Sequence, residues 1–132
     1  MIPENSLRKE IFRYAAETYH TTPEYLWTFV PDYAVLRHGD SNKWYALIMN
    51  LLYEKLDAHK TGPVDVLNVK LDDPLLRDYL MRQPGYYPGY HISRGNWVSV
   101  VLDGTVEPAQ LFRWLDVSFR VTAQKQKRSK GT

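Results

Sequence analysis

Residues 33–51 read YAVLRHGDSNKWYALIMNL, and through this stretch the apolar residues recur with a period of two. YAVLRH (33–38) and KWYALIMNL (43–51) carry the aromatic and aliphatic side chains that suit a pleated surface, and GDSN (39–42) between them is a hairpin turn. Strict alternation in the second run places Tyr45, Leu47, Met49 and Leu51 on one face and Trp44, Ala46 and Ile48 on the other. Both faces are apolar, so the run is expected to be a central strand covered on both sides.

Outward from this hairpin the signals alternate between helix and strand. Toward the N-terminus, Leu7, Ile11, Tyr14, Ala15 and Thr18 form one helical stripe, with Asn5 or Ser6 as the cap. TTPEYLW (21–27) has capping-box spacing between Thr21 and Glu24 and reads as a short helical turn. Toward the C-terminus, LYEKLDAHKTGP (52–63) is polar and reads as a long exposed loop, and VDVLNVKL (64–71) is a third strand. DDPLLRDYLMRQ (72–83) opens a second helix with Asp73 as N-cap and Pro74 behind it, stopped by Pro84-Gly85. YYPGYHI (86–92) and NWVSVVLD (96–103) are two strands around SRGN (93–96). A last helix follows Asp103-Gly104, with Leu111, Trp114, Leu115, Ser118 and Val121 or Thr122 as its buried stripe. The order is α-β(3)-α-β(2)-α, an α+β fold with a mainly antiparallel sheet and its helices on one face.

The chain has 132 residues, which suits a single domain. It contains no cysteine, which removes disulfides, thiolate metal sites and a cysteine nucleophile, and suits a reducing, cytoplasmic setting. The charged start, MIPENSLRKE, has no apolar leader, and the most apolar run, Trp44 to Met49, is far short of the roughly 20 residues that span a bilayer. Four of the 17 basic side chains, Lys125, Lys127, Arg128 and Lys130, lie in the last eight positions, so residues 1–124 form the domain and carry a slight acidic excess. Residues 125–132 form a basic tail, which solubilises the chain or adds nonspecific attraction to phosphate.

Catalytic motifs are thin. His20, His38, His59 and His91 show no metal-ligand spacing, and there is no zincin, nucleophile-elbow or P-loop motif. Asp72-Asp73 is explained by helix capping, and Asp40 near His38 by a polar turn. Arg37, Lys43, Lys55, Lys60 and Arg94 fall on or beside the hairpin loops, where they could reach phosphates.

NKWYALIM (42–49), VDVLNVKLDDP (64–74), QPGYYPGYHI (83–92) and NWVSVVLDGTV (96–106), in this order and spacing, resemble the MmcQ/YjbR-like family of small bacterial proteins over about residues 22–119. The resemblance implies the same element order, in a fold described as CyaY-like or secretion-chaperone-like. It also implies binding to double-stranded DNA through two β-hairpin wings, with no enzymatic activity, metal or cofactor. The turn YHISRGNW (90–97) departs from the family's more basic YHMNKRHW: Ser93 and Gly95 interrupt the basic run, Asn96 replaces a histidine, and Arg94 keeps its charge.

Two functions are therefore expected to compete. In the first, the turn 38–43, the loop 52–63 and the hairpin around Arg94 and Asn96 grip duplex DNA, mainly through phosphates. In the second, a Tyr- and Trp-rich sheet face receives a protein partner, as an adaptor would. A third, enzymatic reading would put His91 in a ligand pocket beside Trp97, working with Asn96 or Asp103.

Overall fold

A computed structural model describes residues 6–90, 92 and 96–123. In chain order the elements are α1 (Leu7–Tyr19), β1 (Ala34–Arg37), β2 (Trp44–Leu52), β3 (Pro63–Lys70), α2 (Pro74–Leu80), β4 (Tyr86–Pro88), β5 (Trp97–Val101) and α3 (Pro108–Thr122). The five strands make one sheet in the order β1-β2-β3-β5-β4, every neighbour antiparallel. The α+β order expected from the sequence holds.

All three helices cover one face. Ile11 and Ala15 of α1, Leu80 of α2, and Leu111, Trp114 and Leu115 of α3 pack with Leu36, Ala46, Ile48, Leu67, Val69, Val98 and Val100 of the sheet. Ser6 caps α1 by accepting the Lys9 N–H, and Asp73 caps α2 by accepting from Leu75 and Leu76. The α1 stripe differs from expectation at two places: Thr18 is exposed, and Arg8 is fully buried. The Arg8 guanidinium reaches the Asp32 carbonyl at 2.7 Å and the Asp65 carboxylate of β3 at 3.2 Å, an internal salt bridge no hydrophobic period announces. A second polar clasp joins α1 to α3. Asp116 accepts hydrogen bonds from the hydroxyls of Tyr14 and Tyr19, whose rings stack on Phe112 and Phe119. Burial and the adjacent carboxylate raise the pKa of both phenols.

Among the described residues, the opposite face carries no α-helix. Val35, Leu47, Met49, Leu51, Val64, Val66 and Val101 form a second apolar layer there, covered by a partly buried shell that includes Trp27, Tyr33, Trp44, Tyr53, Tyr87, Tyr90 and Ile92. Trp44 belongs to this face and Tyr45 to the helical one, the reverse of strict alternation. The cause is a register shift: Leu36 pairs with Ala46 but Arg37 pairs with Trp44, so β2 carries one extra residue there. Such a bulge turns two consecutive side chains out of phase with the pleat. Tyr45 then packs edge-on against Tyr19 and Phe119, with its phenol pushed up to about 12 by burial.

TTPEYLW is not helical. Glu24 pairs with Val35 through two backbone hydrogen bonds, of 3.0 and 2.8 Å, and the segment lies along the edge of β1. Pro23 disfavours helical geometry at Thr22, and a free sheet edge supplies partners that an isolated turn cannot. Within 52–63, a 3-10 turn at Tyr53–Lys55 replaces part of the expected loop, and the Tyr53 hydroxyl donates to Asp103 at 2.8 Å.

His38 opens the β1–β2 turn and packs against Phe119 of α3. The Thr122 hydroxyl donates to the Ser118 carbonyl at 2.6 Å and so accepts from His38 Nε2, 2.9 Å away. Burial lowers the His38 pKa below its ordinary value of 6.5, aided by Lys43 and opposed by Asp40 and the Phe119 backbone. With the folded pKa depressed, the unfolded chain takes the proton first. The contribution of His38 is therefore complete above about pH 6.5 and is lost as pH falls from there through the folded pKa. Urea midpoints measured from pH 7 to pH 5 are expected to fall, and H38Q, which keeps an N–H donor without the titration, to fall less.

Candidate functional site

The helix-free face holds a cavity of about 400 Å³ lined by Trp27, Phe29, Val30, Tyr33, Trp44, Leu47, Met49 and Ile92. The sheet supplies its floor: Leu47 and Met49 are consecutive same-face residues of β2, and the bulge delivers Trp44 beside them. The segment before β1 supplies the walls. After pairing at Glu24, the chain crosses over the face and returns through a turn in which the Tyr33 N–H donates to the Val30 carbonyl at 3.0 Å. Pro31 and Asp32 occupy the central positions of that turn, with Pro where its fixed φ is favoured.

Three of the rings meet in crossed planes. Trp27 stands 82° to Tyr33 at 6.1 Å and 78° to Trp44 at 5.8 Å. Phe29, in the lining, is 80% exposed, and Tyr25 and Leu26 of the same segment are exposed as well. Burial raises the Tyr33 pKa, as does neighbouring Tyr90, so the phenol stays neutral at physiological pH. Among the described residues, no Lys or Arg lines the cavity.

The cations proposed for phosphate contact are placed quite differently. Arg37 makes a two-pronged pair with Glu24, Nη2–Oε1 at 2.5 Å and Nε–Oε2 at 3.1 Å. Lys43 is exposed at one end of β2, and Lys55 and Lys60 are exposed beyond the other end. Nine residues of strand separate those ends, roughly 27 Å at the rise of a β-strand. The Lys60 ammonium sits 5.4 Å from the Tyr53 ring centre. Near Lys43, Asp40 and Asp72 are also exposed. Asn96 is half-buried and its carbonyl accepts from Leu71 N–H, while Trp97 is half-buried opposite Lys70. His91, Arg94, Lys125, Lys127, Arg128 and Lys130 lie outside the described residues. Among the described residues, no group of three or more His, Asp or Glu could hold a metal ion, and no helix is long and apolar enough to cross a membrane.

A profile described as YjbR matches residues 16–121, most of the chain and all five strands. The chain belongs to the YjbR family. It is 40% identical over 115 residues to the uncharacterized protein YyaQ of Bacillus subtilis strain 168, covering 87% of this chain and 97% of that one. A crystal structure of a Pseudomonas syringae protein superposes with a TM-score of 0.82 at 37% identity, over 88% of this chain and 98% of its own. A crystal structure of a Deinococcus radiodurans protein, with a TM-score of 0.70 at 22% identity over 98% and 87%, shares the fold. Within this YjbR-family chain, the motif NKWYALIM that carries the resemblance contains both the bulge and the cavity residues Trp44, Leu47 and Met49.

Trp27, Phe29 and Tyr33 were not singled out by the sequence. Their signal is YLWTFVPDY (25–33), a dense apolar run with no helical period, ended by a Pro-Asp turn. Of that run, Trp27 and Tyr33 pack on the apolar layer of the helix-free face, while Tyr25, Leu26 and Phe29 stay exposed.

Proposed function

We propose that this chain is a non-catalytic binding domain that takes an apolar side chain of a protein partner into the cavity on its helix-free sheet face. The cavity itself carries this reading. Its volume falls within the range of ligand-sized pockets, its floor is fixed by a central strand, and its walls are the large rings that anchor interfaces. Phe29 in its lining is exposed and accessible to a partner.

Duplex DNA, implied by the family resemblance, draws less support from the described cations. Arg37 is engaged by Glu24, and Lys43 stands at the far end of the sheet from Lys55 and Lys60. A phosphate grip gains from several cations acting along one backbone track.

The test pairs capture with titration. Partners are captured by crosslinking from nuclease-treated lysate on the wild-type chain and on W44A, and labelled duplex is titrated by fluorescence anisotropy at 50 and 200 mM salt. A partner that survives nuclease and binds W44A roughly tenfold more weakly is expected, as truncating an anchoring ring commonly costs over 1 kcal/mol. Capture that is lost entirely on nuclease treatment, or that is equal for the two chains, sinks the reading. Salt-sensitive binding to duplex in place of a protein partner transfers it to DNA.

A further inference from the structure

Resting on that reading, we propose that the cavity selects a quaternary methylammonium group, presented by the partner as a trimethylated lysine side chain. Four of the eight lining residues are aromatic. The face of an aromatic ring is the negative part of its quadrupole, and Trp is the strongest of the three in attracting a cation. Trp27, set nearly perpendicular to both Tyr33 and Trp44, puts ring faces in crossed planes around one corner of the space. That arrangement surrounds a compact, roughly spherical cation better than it stacks on a flat ring.

The rest of the lining separates methylated from ordinary lysine. A primary ammonium carries three N–H donors, each needing an acceptor when buried. The Tyr33 hydroxyl is one acceptor, but Val30, Leu47, Met49, Ile92, the Phe29 ring and the rings of Trp27 and Trp44 offer hydrocarbon, thioether or indole surface, so most of those donors would be left unmet. A trimethylammonium has no N–H and keeps its charge. The cavity, at about 400 Å³, has room for the four-carbon stem as well as the headgroup. The charge at the rim has the matching sign. Phe29, Val30 and Tyr33 are shared with a shallower depression that adds Pro31, Asn50 and the exposed Asp32. An acidic residue in the adjoining depression, and no basic residue among the described lining residues, favour a cation over an anion.

The decisive comparison is with a neutral ligand of the same shape. Three short Gly/Ser peptides, carrying trimethyllysine, its uncharged isostere with carbon in place of the ammonium nitrogen, or unmodified lysine, are titrated by calorimetry and tryptophan fluorescence. Trimethyllysine is expected to bind roughly fivefold or more tightly than the isostere, with unmodified lysine weakest. W27F, which keeps a ring but weakens its quadrupole, is expected to shrink that preference while melting like the wild type. Equal binding of trimethyllysine and isostere overturns the cation selection and leaves the apolar-anchor reading standing. Failure of all three peptides to bind overturns the selection and removes the cavity's claim to be an anchor site.

Discussion

D65A is expected to lose about 3 kcal/mol of stability, read as a lower urea midpoint with unchanged slope. The reason lies on the other side of the pair. Arg8 is fully buried on α1, and its guanidinium has the Asp65 carboxylate, the Asp32 carbonyl and the Phe12 ring, 5.9 Å away, as its surroundings. Its Nε already has no hydrogen-bond partner. Removing the carboxylate strands a positive charge inside the protein, which costs far more than the pair contributes over an apolar substitute. Asp65 itself is 21% exposed and also accepts from Asn50 at 3.0 Å, so it tolerates the opposite loss better. R8M should therefore be milder than D65A. Equal effects of the two variants would show that the charge is not held as the geometry implies.

S118A is expected to cost about 2 kcal/mol, far above a small change of side-chain volume. The β2–β3 ladder ends at Ala46 paired with Val69, and the next two residues, Tyr45 and Lys70, face each other across the bulge. The Ser118 hydroxyl of α3 fills that gap. It accepts the Lys70 N–H at 2.8 Å and donates to the Tyr45 carbonyl at 2.6 Å. Alanine would leave two backbone groups unsatisfied at a site where Ser118 is wholly buried, and each such group costs on the order of 1–3 kcal/mol. A loss below about 0.5 kcal/mol in a urea titration would mean that water or a neighbour takes over both bonds.

These two residues also mark where sequence reading stops. Ser118 was legible as part of a buried stripe because α3 is long and periodic, and Leu111, Trp114, Leu115 and Thr122 share that stripe. What it does for the sheet was not legible, because its partners lie 48 and 73 positions away. The strands and their order followed from alternation and turn chemistry at GDSN, Pro84-Gly85 and Asp103-Gly104. The face assignment of Trp44 and Tyr45 did not, since a bulge leaves no mark in the local period. TTPEYLW misled because capping-box spacing is a weak local preference, and a vacant strand edge overrode it. Of the candidate site, a Tyr- and Trp-rich sheet face was expected, but Trp44 was assigned to the face that the helices cover. The walls built from Trp27, Phe29 and Tyr33 were not legible, because they depend on where one irregular segment comes to rest.

The extra residue in β2 works as a frame shift inside the protein. Downstream of it, Ala46 and Ile48 keep step with the helices; upstream, the indole of Trp44 is handed to the other side. Deleting Tyr45 would restore the plain two-residue rhythm, keep Trp44 on the open face beside Leu47, and take from beneath α3 the ring that packs against Tyr19 and Phe119. A single residue in this count therefore decides which ring each face of the sheet receives.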